Sequence, residues 1–203
     1  MADDRPLRSD ARRNREQILT VAREAFATDG LSVSLDEIAR RAGVGPGTLY
    51  RHFPTKETLF EAVVHHRLLG LLQDARGRHD APDPAAALFG FLQQMIDEAA
   101  PKMDLIHALE RSGVGLETTI AATGTQLRSE VGHLLARAQG QGAVRQDITP
   151  DDLMALLSGL LHVLGPRSTH HADPQRTLSV VLQGLRPDAP HEGSSASRRA
   201  TRP

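Results

Sequence analysis

Between Ser34 and Lys56 the chain reads SLDEIARRAGVGPGTLYRHFPTK, and this stretch leaves few folds open. Glu37 follows Ser34 at the spacing of a capping box: the serine hydroxyl takes a free backbone N–H of the first turn and the glutamate returns the bond. Leu35, Ile38, Ala39 and Ala42 then recur at three and four, which gives the helix one side to bury. Gly43 ends it, because glycine accepts the left-handed backbone of a helix terminus without a Cβ clash. Val44 is placed to plug the turn. Gly45, Pro46 and Gly47 lead into a second helix of barely two turns, Thr48 to His52. Pro54 blocks its extension by driving Phe53 out of helical geometry, and Thr55 caps a third helix.

A helix, a glycine-bearing turn and a short second helix make the helix-turn-helix pattern, whose second helix can enter the DNA major groove with its N-terminal end toward the bases. Gly45 and Gly47 let backbone come close to a duplex. Thr48 can offer a methyl group to thymine or a hydroxyl to a base or phosphate. Tyr50, His52 and Lys56 carry phosphate donors. The formal net charge of the whole chain is −1, but residues 5–56 hold ten basic and six acidic side chains. That local excess is what phosphate neutralisation needs, although a solvated surface could carry it equally well.

GPGTLYRHFPTKETLFEAV, preceded by RNREQILTVAREAFATDG and SVSLDEIARRAGV, closely resembles the DNA-binding region of the TetR family of bacterial transcriptional regulators. The resemblance is specific from about Arg13 to Val64 and only architectural beyond. It implies an all-α protein: a three-helix helix-turn-helix domain followed by a larger helical domain, about nine helices together. It also implies a homodimer that represses a palindromic double-stranded operator until a small-molecule effector releases it. The candidate DNA contacts are Arg13, Ser34, Gly45, Pro46, Gly47, Thr48, Tyr50, His52 and Lys56.

The expected domains are a flexible basic arm (1–11), the helix-turn-helix domain (12–54), an effector-binding and dimerisation domain (55–186) and a disordered, apolar-poor tail (187–203). Ile18, Leu19, Ala22, Ala25 and Phe26 give the first helix, expected from Asp10 to Thr28, its buried stripe. Phe26, Ile38, Leu49 and Phe53 are the expected core of the head. A long helix from Thr55 to Arg76 connects head and remainder, and a small tilt of it would change the separation of two recognition helices. RGRHDAPDP breaks the chain at residues 76–84. Helical patterns follow over residues 85–100, Lys102 to Glu110 and Leu116 to Gln139, in the last of which Gly124 hints at close packing or a bend. Two strongly apolar helices close the domain, capped by Thr149 and Asp173 with Pro150 and Pro174 next in line.

By resemblance, those last two helices meet their symmetry copies through Leu153, Leu156, Leu157, Leu160, Leu164, Leu178, Val181, Leu182 and Leu185; an intramolecular core is the alternative. Leu68, Leu72, Phe91, Met95, Ile96, Leu109, Ile120 and Leu127 are the candidate effector pocket, and they suit plain core packing as well. Aromatic content of 3% without tryptophan disfavours a stacked cage and points to an apolar or flexible effector.

No phosphate loop, GxSxG elbow or HExxH helix occurs, so no enzyme is expected, and no cofactor. The pairs His65–His66 and His170–His171 raise a metal- or pH-responsive regulator as an alternative. Adjacent helical residues diverge by about 100°, so neither pair aims two ligands at one ion and no metal site is expected. Activation rather than repression stays open, because operator position decides it. Cysteine is absent, and neither a membrane span nor an export signal is evident, which makes the cytoplasm the expected location.

Overall fold

The computed structural model describes residues 5–99, 118–164 and 173–187, and within them it is all helical. The helices are α1 (Arg5–Asp29), α2 (Leu35–Arg41), α3 (Pro46–His52), α4 (Lys56–Gly77), α5 (Pro84–Ala99), α6 (Thr118–Gly140), α7 (Pro150–Leu164) and α8 (Pro174–Gly184), with a 3-10 turn at Gly30–Ser32. None of them is long and apolar enough to cross a membrane.

Two apolar clusters organise these helices. The first joins Ile18, Leu19, Ala22, Ala25 and Phe26 of α1 to Leu35, Ile38, Ala39 and Ala42, then to Leu49, Phe53 and, on α4, Leu59, Phe60 and Val63. Phe26 meets Phe60 edge to face, ring centroids 5.5 Å apart. The second cluster takes Leu71 and Ala75 from the far half of α4 and packs them with α5, α6, α7 and α8. Helix α4 thus serves both cores without interruption.

Polar contacts stitch α4 to α6. Arg76 Nε donates to Glu130 Oε1 at 2.8 Å, His79 Nε2 lies 2.8 Å from Glu130 Oε2, and His65 Nε2 lies 3.2 Å from Thr123 Oγ1. The Arg76 hydrogen bond is the main reason the Glu130 carboxyl is held below its ordinary pKa. Arg137 donates to the carbonyls of Arg78, His79 and Ala81, which pins the α4–α5 turn against α6.

Most expected helix ends occur where the capping chemistry put them. Thr149 Oγ1 accepts from the Asp152 N–H, and Asp173 accepts from the Gln175 N–H. Several boundaries moved. Residues 5–9, which precede the expected helix start at Asp10, already belong to α1, so the helix takes in most of the expected arm; Pro6 lies in the first turn, where its missing N–H costs nothing. Helix α3 begins at Pro46 rather than Thr48, because proline suits a first helical position and Gly45 supplies an extended N-cap. Ser34 Oγ accepts from the Glu37 N–H, but the Glu37 carboxylate turns to Arg40 and Arg41 and leaves the capping box half made. Gly124 sits in a continuous helix with open space where a Cβ would stand; the tight glycine is Gly132, whose added Cβ would meet Pro150 Cγ at 3.2 Å. The expected helix at Lys102–Glu110, the His170–His171 pair and the tail beyond Pro187 lie outside the described residues.

Candidate nucleic-acid interface

Helix α3 is fixed from below by two apolar residues, Leu49 (0% exposed) and, just past its end, Phe53 (2% exposed). Leu49 packs among α1 and α2 side chains, and Arg15 of α1 lies over the Phe53 ring at 5.4 Å. The turn before α3 is held by Gly43 at φ +64°, a conformation open to glycine at no steric cost, and by the Val44 N–H donating to Ala39 O at 3.0 Å. The Thr48 and Leu49 N–H groups both donate to Gly45 O, at 2.9 and 3.2 Å.

What this scaffold presents outward is Gly45, Pro46, Gly47, Tyr50 and Arg51, all exposed, with Thr48 and His52 half-buried. Gly45 serves the chain as the extended N-cap of α3, a position that glycine suits, whereas Gly47 is not demanded by the chain itself. Gly45 has φ −65°, and a Cβ there would come no nearer than 3.9 Å to the Thr48 hydroxyl; a Cβ at Gly47 would meet nothing. Glycine inside a helix costs about 1 kcal/mol relative to alanine. The missing side chains therefore leave open space at the start of α3 that the folded chain does not use.

The other candidates flank α3. Ser34 caps α2 and is exposed. Lys56 is the first residue of α4, behind a complete capping box in which the Thr58 N–H donates to Thr55 Oγ1 and the Thr55 N–H donates to Thr58 Oγ1, each at 3.2 Å. Arg13 lies on α1 with a side chain 76% exposed, 3.9 Å from Asp10. Arg51, absent from the expected contacts, is exposed on α3, and its basic side chain next to Tyr50 was the available signal.

Arg40 and Arg41 are committed elsewhere. Arg40 makes two bonds to Glu37, at 2.8 and 2.7 Å, while Arg41 bonds Glu37 at 2.7 Å and Asp29 at 2.6 Å. The hydrogen bond from Arg40, then that from Arg41, hold the Glu37 carboxyl down at about 2, against an ordinary 4.5. A carboxyl depressed on folding stabilises the fold above its ordinary value and loses that contribution as the pH falls toward its folded value. Acid melts of wild type and Glu37→Gln should therefore differ at pH 4.5 and above and converge as the pH drops to about 2. A gap that stays constant across this range would refute the linkage.

Two family models cover most of this chain. Residues 18–63 match that of bacterial regulatory proteins, tetR family, and residues 83–187 match the C-terminal domain of SbtR-like transcriptional regulators. The chain belongs to the TetR family. A TetR-family regulator of Mycobacterium vanbaalenii has 41% identity and a TM-score of 0.72, with 89% of this chain and 99% of that one covered. A TetR-family regulator of Streptomyces coelicolor has 35% identity and a TM-score of 0.71, with 86% and 99% covered. An HTH-type transcriptional regulator of Staphylococcus aureus is 40% identical over 63 residues, 30% of this chain and 34% of its own length. The match therefore spans about a third of that curated relative. TetR-family proteins are DNA-binding transcriptional regulators and not enzymes, which agrees with the lack of catalytic motifs.

In this TetR-family chain the last two helices need a correction. Leu153, Leu157, Leu160, Leu178 and Leu185 are 0–6% exposed in the chain's own second cluster, so they present no surface to a partner. The leucines of these two helices mostly serve the inward face. Val181 and Leu182 are half-buried, Leu156 is 43% exposed, and the side chain of Leu164 lies outside the description. Val163 and Val180, unlisted among the expected interface residues, are exposed at 37% and 63%.

The expected pocket residues gather in the interior. Leu72, Phe91, Met95, Ile96 and Leu127 are buried and Leu68 is half-buried against the second cluster. Leu109 and the Ile120 side chain lie outside the description. A surface cleft of about 430 Å³ between α6 and α7 is lined instead by Thr125, Arg128, Ser129, Gly132, Pro150 and Asp151. Among the described residues no three metal-type ligands cluster.

Proposed function

We propose that the protein is a homodimeric repressor that seats α3 of each copy in successive major grooves of a palindromic operator. The observation that carries this reading is the start of α3: two exposed glycines that leave open space, Gly47 without a packing or backbone reason of its own, beside Thr48, Tyr50 and Arg51. Backbone there can approach base edges, with Thr48 reading them and Tyr50, His52, Lys56 and the Ser34 hydroxyl holding phosphates. Arg13 contributes charge from α1. Selection of bound genomic fragments by the purified protein tests the reading; recovery of a two-fold symmetric sequence is the expected result, and binding no tighter than to random duplex would end it.

Within that complex, Tyr50→Phe and Lys56→Ala should weaken binding evenly across operator variants. The lysine change should also reduce the slope of log affinity against log salt by about one unit. Fluorescence anisotropy over a salt series reads both, and a loss confined to one base position would reassign the residue to base readout.

The dimer forms, on this proposal, through the outward faces of α7 and α8, where Leu156, Val163 and Val180 are exposed. The effector is an apolar small molecule that opens the interior between α4, α5 and α6, around Leu68, Leu72, Phe91, Met95, Ile96 and Leu127. Met and Leu can repack around a flexible guest. Thermal-shift and operator-release screens against a broad apolar library test this half. A compound that raises the melting temperature and frees the operator is expected, and a full screen without one would count against it.

A further inference from the structure

Both arginines of α2 are spent on acids, Arg40 on Glu37 and Arg41 on Glu37 and Asp29. The arginine of α3 stands in different surroundings. Arg51 is exposed, and its helix, PGTLYRH, contains no acid. A long side chain on a helix is directed back toward the N-terminus, over the positions three and four before its own. For Arg51 those positions are Thr48 and Gly47, on the face of α3 opposite the buried Leu49 and Phe53. Gly47 leaves that lane bare, although alanine would suit the helix better and its Cβ would meet nothing in the fold. Four residues of helix rise about 6 Å, so an arginine laid along the lane brings its guanidinium from the end of α3 to its start. That start is the end a recognition helix turns toward the bases. Of the two exposed long side chains on α3, Tyr50 offers a single hydroxyl, whereas Arg51 offers a planar fork of donors.

We propose that Arg51 is a specificity-determining residue of this interface: its guanidinium lies back over Gly47 and reads one guanine in each half-site, donating to O6 and N7 together. A guanine presents two acceptors side by side in the major groove, which a planar fork matches and a hydroxyl does not. The glycine then has a purpose beyond close approach of backbone, since any side chain at that position would share the lane with the arginine. The inference rests on the operator-binding reading above and adds to it which base the site selects.

The test is selection from a randomised duplex pool by the full-length wild type, Arg51→Gln and Arg51→Lys, followed by anisotropy over a salt series on the selected duplex and on single-base variants of it. The wild type should enrich guanine at one symmetric pair of positions, and replacing either guanine by adenine should weaken its binding about tenfold or more. Arg51→Gln should lose the guanine at that pair alone, or exchange it for adenine, and keep the rest of the motif; Arg51→Lys should retain guanine with a smaller preference. Circular dichroism should be unchanged in both variants, since the replaced side chain is exposed. A motif that Arg51→Gln leaves intact overturns the proposal. So does a loss spread evenly over all sequences with a salt slope lowered by about one unit, which makes Arg51 a phosphate contact. In both of those results the operator-binding reading survives; a wild type that enriches no sequence at all ends that reading and this proposal together.

Discussion

Phe26→Ala will lower the stability of the helix-turn-helix head by about 3–5 kcal/mol, the range for emptying a buried phenylalanine site. The ring is 4% exposed and sits edge to face on Phe60, so the substitution removes the main aromatic contact between α1 and α4. Little can refill the space, because Ile18, Ala22 and Leu59 of the same cluster are already fully buried and are held by long helices, α1 and α4. Denaturant melts followed by far-ultraviolet circular dichroism measure the loss, and operator binding should fall with it, since α3 has only Leu49 and Phe53 as anchors. A loss under about 1 kcal/mol would show that the head collapses around the gap and that its packing is looser than described.

If the proposed dimer forms through α7 and α8, Val180→Glu or Leu156→Glu will convert it to a monomer and lower affinity for the proposed palindromic operator by about 100-fold or more. The size follows from linkage: once one half-site is bound, a tethered second head acts at an effective concentration that multiplies affinity by about 10²–10⁴. Both side chains point away from the second cluster, so the fold of the single chain should survive with an unchanged helical signal. Leu157→Glu is the contrast, because a carboxylate in that 3% exposed position should disrupt the chain itself. Sedimentation velocity and anisotropy decide the matter together. A variant that stays dimeric at low concentration would move the interface to another face.

The head was legible because its punctuation is chemical. Ser34 and Thr55 cap, Gly43 takes a positive φ, and Leu35, Ile38, Ala39, Leu49 and Phe53 are buried as their spacing required. The misreadings share a cause: the signals used were local, and the competing partners were not. Glu37 had the spacing for a capping box, yet two arginines, one of them also tied to Asp29, claimed its carboxylate. Gly124 invited a close-packing argument that belonged to Gly132, and only the approach of Pro150 across α6 and α7 distinguishes them. On α7 and α8, counting leucines could not separate an inward stripe from an outward one. The phase of Leu153, Leu157 and Leu160 against Leu156 and Val163 does so once the cluster is known. The pocket candidates were found buried, but burial is what a core residue and a ligand-lining residue have in common.

The unbroken course of α4 sets a rule for splicing this chain. Residues between Val64 and Leu71 lie between the two clusters, and the helix there transmits azimuth as well as distance. One inserted residue would swing the head by about 100° about the α4 axis, whereas seven would nearly restore its bearing while moving it about 10 Å outward. A chimera that grafts this head onto another sensing half must therefore keep the junction in helical phase, and a deletion ladder across it should restore operator binding with the periodicity of the helix.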